Sequence, residues 1–104
     1  MKLSEAIRKG SENTVRMQGS LTWRDPEGRL YACALGAAHI GNGGDPDLED
    51  GEIYTILWNT WPELQALITD EKVRRNLGNA IWNKNDRQNW ARERIANWLE
   101  EKGF

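Results

Sequence analysis

Two residue types with versatile chemistry are nearly absent, because the 104-residue chain has one cysteine, Cys33, and one histidine, His39. A single cysteine cannot form an internal disulfide, which is typical of a protein in a reducing compartment. One cysteine and one histidine also fall short of the three or four ligands of a zinc site. We therefore expect a cytoplasmic protein with no disulfide, no metal site and no cofactor.

Long apolar runs are absent as well. No stretch approaches the roughly 20 apolar residues of a membrane span, and charged residues follow Met1 too soon for a secretory signal. With 38% hydrophobic and 29% charged residues, the chain has the composition of one globular domain, residues 1–104. We expect no membrane partner.

Basic residues are missing from the middle of the chain. Residues 30–71 carry eight acidic and no basic side chains, whereas residues 72–104 carry eight basic and four acidic ones. The net charge of −2 hides this separation. The basic C-terminal third could meet a small anion, whereas the acidic middle would repel one. The favoured interpretation is that the two regions are solvated faces of opposite sign that attract each other within the fold. We expect no extended nucleic acid as a partner.

The densest run of small residues predicts the centre of the fold. Small side chains at helical spacing let backbones approach closely, so we expect a central helix over Ala32–Ile40. Before it, Ser4 is expected to cap a helix that runs to about Asn13. A β-hairpin should follow, with strands Leu21–Trp23 and Arg29–Tyr31 around a type I turn at Asp25–Gly28.

After the central helix, the apolar spacing predicts mostly helices. Over Ile53–Asn59, Tyr54 and Trp58 add a second apolar ridge to the inward one, and the β-branched residues leave a strand open. A capping box with proline at the first helical position then starts a helix at Thr60–Glu63, with Leu64, Leu67 and Ile68 inward.

Two further helices are expected in the C-terminal third. Thr69 or Asp70 should cap the first, whose inward stripe is Val73, Leu77, Ala80 and Ile81. The last should turn Ala91, Ile95, Trp98 and Leu99 inward. The predicted fold class is therefore mainly α, a single compact helical domain of about five helices around a central small-residue helix, with one β-hairpin.

Trp82 does not fit the stripe of its predicted helix. It points to the polar face, in line with Gly78 and Arg75. A large aromatic side chain there needs a partner, either another element, a second subunit or a ligand.

Two segments carry a resemblance to known proteins, Cys33-Ala34-Leu35-Gly36-Ala37 and the stretch from Trp82-Asn83-Lys84-Asn85-Asp86 to Leu99. The chain resembles small uncharacterised proteins of bacteria and phages that share a Cys-Ala-Leu-Gly-Ala helix start and an Asn-Asp turn before a C-terminal amphipathic helix. This resemblance implies a compact, mostly helical domain and assigns no chemistry.

Cys33 is the one candidate nucleophile. A helix N-terminus favours a thiolate, but a base is also needed. His39 lies six residues further on, roughly 240° around the same helix, so the two side chains cannot meet. Cysteine among alanines is more often a buried core residue, and we expect no catalytic residue.

Aromatic, amide and basic residues gather near the predicted Asn-Asp turn. Indole rings stack on flat ligands, while arginine and asparagine bind charge and polar edges. Tryptophans also serve cores, and asparagines are common turn residues, so a structural role is the competing interpretation. The predicted ligand- or partner-binding residues are Arg75, Trp82, Asn83, Asn85, Asp86, Trp90 and Arg92.

These features predict a non-enzymatic binding module. Its ligand would be a small anionic molecule, nucleotide-like, or a protein partner, and the resemblance permits a phage counter-defence role. Two alternatives from other classes stay open: a small cysteine-dependent enzyme centred on Cys33, and a structural subunit that forms homo-oligomers through Trp82.

Overall fold

The computed structural model describes all 104 residues. About half of the chain (51%) is helical, and 15% lies in five strands that form two small sheets. The domain is therefore α+β, and the predicted mainly α fold with one hairpin is wrong. The helices are α1 (Leu3–Ser11), α2 (Ala34–Gly41), α3 (Asp50–Thr60), α4 (Leu77–Trp82) and α5 (Arg92–Glu101), with a 3-10 turn (Pro62–Gln65) and a π turn (Asn83–Arg87). The strands are β1 (Val15–Arg16), β2 (Thr22–Arg24), β3 (Leu30–Ala32), β4 (Leu67–Asp70) and β5 (Val73–Asn76).

The small-residue helix α2 lies in the core, with seven of its eight residues buried. It begins at Ala34 instead of Ala32, because the Sγ atom of Cys33 accepts a hydrogen bond from the Gly36 amide and so caps the helix. Helix α1 packs directly on α2. A Cβ atom on Gly10 would overlap the carbonyl oxygen of Ala37, so glycine is what lets the two backbones meet.

The first sheet has the strand order β1-β3-β2. Strands β2 and β3 form the predicted hairpin, with Trp23 opposite Tyr31. Strand β1, which has no counterpart in the prediction, pairs in parallel with β3 and places Val15 opposite the same Tyr31. Because β3 ends at Ala32, directly before the Cys33 cap, the chain passes from the sheet straight into the N-terminus of α2.

The second sheet replaces much of two predicted helices. The helix expected from Thr60–Glu63 is only the 3-10 turn, and the segment expected to form a helix after Asp70 begins as the antiparallel hairpin β4–β5. Glu71 and Lys72 occupy its two-residue turn with φ of 52° and 69°, the left-handed conformation that such hairpins require.

Helix α4 starts only after this hairpin, where the Asn76 side chain accepts a hydrogen bond from the Asn79 amide. Arg75 therefore lies on β5, and the predicted alignment of Arg75, Gly78 and Trp82 on one helix face is wrong. Gly78 and Trp82 do share α4.

A buried ion pair joins the second sheet to the C-terminal segments. The Nζ atom of Lys84 donates to the Oδ1 atom of Asp70 at 2.8 Å, and both side chains are buried. The same Nζ lies 4.8 Å and 4.4 Å from the ring centroids of Trp90 and Trp98. This pair fixes the π turn against β4. No helix of the domain is both long and apolar enough to cross a membrane.

Candidate functional site

An open groove of about 460 Å³ lies between α3 and α4. Helix α3 contributes two aromatic rings spaced one turn apart, Tyr54 and Trp58, whose centroids are 5.7 Å from each other. Helix α4 contributes Trp82, whose side chain is 42% exposed. The residues that line the groove are Leu35, Tyr54, Trp58, Gly78, Asn79 and Trp82.

Gly78 determines how closely the two helices approach. A Cβ atom at this position would lie 2.6 Å from Cη2 of Trp58, well inside van der Waals contact. The absent side chain lets the edge of the Trp58 ring approach the backbone of α4, one turn before Trp82. The aromatic side chains of Tyr54, Trp58 and Trp82 and the backbone of Gly78 thus line the groove.

A narrower recess of about 40 Å³ adjoins the groove and shares Leu35, Tyr54 and Trp82 with it. Its other walls include Cys33, Asp50 and Asp86. Since a water molecule needs roughly 10–15 Å³ of such space, the recess holds a few waters at most.

Cys33 is poorly suited to nucleophilic chemistry. Burial raises the pKa of its thiol to about 11, and the negative charges of Asp86 and Asp50 add to this shift, so the thiolate is scarce at neutral pH. His39 is six residues away on α2, and its Nε2 atom lies 2.8 Å from the carbonyl oxygen of Asp45. The structure therefore brings no histidine base to Cys33.

The π turn supplies the polar wall of the recess. Asn85 is buried, and its Oδ1 atom accepts a hydrogen bond from the Ala34 amide at the start of α2. Its Nδ2 donates to Oδ1 of Asp86, while Oδ2 of Asp86 accepts from the Gly19 amide at 2.8 Å. Asn85 is thus a structural bridge, and it holds the Asp86 carboxylate in place at the recess.

Trp90 and Arg92, two of the other predicted residues, line neither the groove nor the recess. Trp90 stacks against Lys84 and, at 3.8 Å, against the guanidinium of Arg94. Arg92 donates to Thr14 and to backbone carbonyls in the N-terminal third of the chain, and burial lowers the pKa of its guanidinium. Both side chains are engaged within the fold.

Two further predicted residues, Arg75 and Asn83, are half-buried and line neither cavity. Arg75 lies on β5, and its buried Nε has no hydrogen-bond partner. Asn83 opens the π turn, where its carbonyl oxygen accepts from the Gln88 amide. Of the seven predicted residues, the structure brings only Trp82, Asn85 and Asp86 together at the recess.

Helix α3 carries the site residues that the sequence did not single out. Tyr54 and Trp58 lie on its second apolar ridge, which the helical spacing of the sequence predicts without indicating a site. Asp50 is the first residue of α3, and no local pattern marks it as close to Asp86, which is 36 positions further along. Their proximity depends on how α3 packs against the π turn.

The charge of the site is negative. Asp50 and Asp86 are the only charged residues that line the groove or the recess, and neither pairs with a basic side chain. Burial, together with the charges of both carboxylates, raises the pKa of the Tyr54 hydroxyl. No cluster of three or more histidine, cysteine, aspartate or glutamate side chains is placed to hold a metal ion.

Comparisons with known protein families, with curated proteins and with solved structures give no match to this chain. The resemblance to small bacterial and phage proteins therefore stays a prediction, and the site has to be interpreted from its geometry.

Proposed function

We propose that this chain is a non-enzymatic binding module, and that the groove between α3 and α4 receives part of a protein partner. The observation that carries the proposal is the exposure of Trp82 at an open groove already walled by Tyr54 and Trp58. Exposed aromatic residues in a concave apolar site are typical anchors of protein interfaces. The cytoplasmic location and the phage counter-defence setting belong to the same proposal and rest on the sequence alone.

The electrostatics favour a protein partner over a small anionic ligand. A nucleotide in the groove would bring its phosphates toward Asp50 and Asp86, with no basic side chain in the lining to offset the repulsion. The arginine at position 92, which the sequence offered for anion binding, is occupied by Thr14 and backbone carbonyls. The cysteine enzyme is disfavoured because the Cys33 thiol is buried and the one histidine is bonded to Asp45 instead.

The first test is selection of a displayed library of random peptides on the immobilised protein. We expect enrichment of peptides that bind the wild type and lose binding to Trp82→Ala. Trp23→Ala is the matched control, because Trp23 is also about half exposed (49%) but lies on β2, outside the groove. Equal binding of the selected peptides to both variants would contradict the proposed site.

A second variant tests whether Trp82→Ala loses binding only because it destabilises the fold. Asn79 is exposed on the groove lining, so Asn79→Trp fills the groove without removing any core contact. Gln65→Trp makes the same change at an exposed position outside the groove. We expect only Asn79→Trp to block the peptides.

Sedimentation of the wild type tests whether a second copy of the chain occupies the groove. Such self-association would appear as a dimer that Asn79→Trp dissociates.

A further inference from the structure

The groove and the recess form one site with an apolar part and an acidic part. The aromatic walls belong to the groove, and the carboxylates of Asp50 and Asp86 belong to the recess that opens beside Tyr54 and Trp82. A ligand that satisfies both parts needs an apolar stem that ends in a positive charge. Lysine and arginine side chains have this form.

We propose that the partner inserts a basic side chain into this site, with its aliphatic stem along the aromatic walls and its charged end facing Asp50 and Asp86. This inference rests on the proposed function and specifies its ligand. Arginine fits better than lysine, since its planar guanidinium both stacks on indole rings and donates paired hydrogen bonds to a carboxylate.

Both carboxylates retain acceptor capacity. The only side-chain donor to Asp50 is the Ser20 hydroxyl, at 3.3 Å from Oδ2, and Asp50 is otherwise exposed. Asp86 accepts one hydrogen bond at each oxygen, whereas a carboxylate has about four acceptor positions. Asp86 is also fixed by the Asn85 bridge, so little side-chain freedom remains to be lost on binding.

The surrounding charge adds to the complementarity. Residues 30–71 carry eight acidic and no basic side chains, and α3 opens with Asp50 and Glu52 directly after Glu49. Arg87 lies 5.5 Å from the Trp82 ring centroid but does not line either cavity. A basic partner would be drawn to this surface, and more weakly at high ionic strength.

The test uses acetylated and amidated tripeptides Leu-Xaa-Leu that differ only in the middle residue, which is arginine, lysine, glutamine or glutamate. Each is titrated into isotope-labelled protein, and the indole N–H signals of Trp58 and Trp82 report binding. We expect the arginine peptide to bind most tightly, the glutamine peptide about fivefold or more weakly, and the glutamate peptide most weakly.

Two protein variants show whether a loss of peptide affinity comes from the removed charge or from a change in the fold. Asp50→Asn keeps the size and the hydrogen bond from Ser20, and we expect it to weaken the arginine peptide about fivefold while leaving the glutamine peptide unchanged. Glu52→Gln is the matched control, because it removes the same charge from the same helix at a residue outside both cavities, and it should change the affinity less than about twofold.

Three outcomes would overturn the inference. Equal binding of arginine and glutamine peptides at Trp82 would refute the basic ligand and leave the groove as a binding site. Tightest binding of the glutamate peptide would refute the basic ligand and support the hypothesis of a small anionic ligand. If no peptide shifts Trp82, the inference fails, and a library selection that also yields nothing dependent on Trp82 would refute the proposed function too.

Discussion

Replacing Lys84 by methionine is expected to lower the free energy of unfolding by about 3 to 5 kcal/mol. Methionine has a similar length and no charge, so the change removes the ammonium and keeps most of the packing. The carboxylate of Asp70 would then remain buried at 6% exposure without its partner, and its Oδ2 atom already lacks a hydrogen bond. The cost comes from that unpaired charge.

The two indole rings around the Lys84 ammonium make a second contribution to the free energy of unfolding. Lys84 has three N–H donors, and only one of them is bonded to Asp70. The others face Trp90 and Trp98 at distances that allow cation–π attraction, about 1 to 2 kcal/mol each for a desolvated cation. Lys102→Met is the control, since its exposed ammonium lies 5.0 Å from the same Trp98 ring. We expect Lys102→Met to cost less than about 1 kcal/mol.

Urea unfolding followed by tryptophan fluorescence measures both variants, and a double variant completes the test. Replacing the pair together, Lys84→Met with Asp70→Leu, removes both buried charges and should recover most of the lost stability. A loss below about 1 kcal/mol in Lys84→Met, or a double variant less stable than the single one, would refute the assignment of the loss to an uncompensated charge.

Four further substitutions test the packing and the thiol. Burial raises the pKa of the Cys33 thiol from 9.0 to about 11, so the folded state binds this proton more tightly than the unfolded state. The free energy of unfolding should therefore fall by up to about 3 kcal/mol as the pH rises from 9 to 11. Cys33→Ala should remove this part of the pH dependence of urea unfolding. Gly10→Ala should lower the urea midpoint strongly because its methyl group meets the α2 backbone, whereas Gly51→Ala, with open space on α3, should raise it slightly. Gly78→Ala should displace the Trp58 ring, and the Trp58 indole N–H signal should shift more than those of the other five tryptophans; an unmoved signal would contradict the close contact.

The second hairpin shows where the local sequence misleads. Val73, Leu77, Ala80 and Ile81 recur at helical spacing, and this pattern predicted one helix across Asn76. The chain instead reverses at Glu71 and Lys72, neither of which is a residue that marks a left-handed turn. Asp70 at the end of β4 is buried against Lys84, a contact between residues 14 positions apart that helical spacing does not encode.

Local chemistry did determine several features of the molecule. The Asp25–Gly28 turn, the small-residue helix on which α1 packs and the exposed Trp82 all follow from the nature of a few adjacent residues. Such features depend on backbone conformation, side-chain size and helical spacing, which are fixed within one or two turns of the chain.

Only the tertiary structure decided what surrounds Trp82. Its partners Tyr54 and Trp58 come from α3, the acidic pair joins Asp50 to Asp86, and Arg92 is drawn into the N-terminal third instead of the groove. These outcomes depend on which helix faces meet after the second sheet has shortened α4. Because packing between distant segments is set by the whole core, no short stretch of sequence contains it.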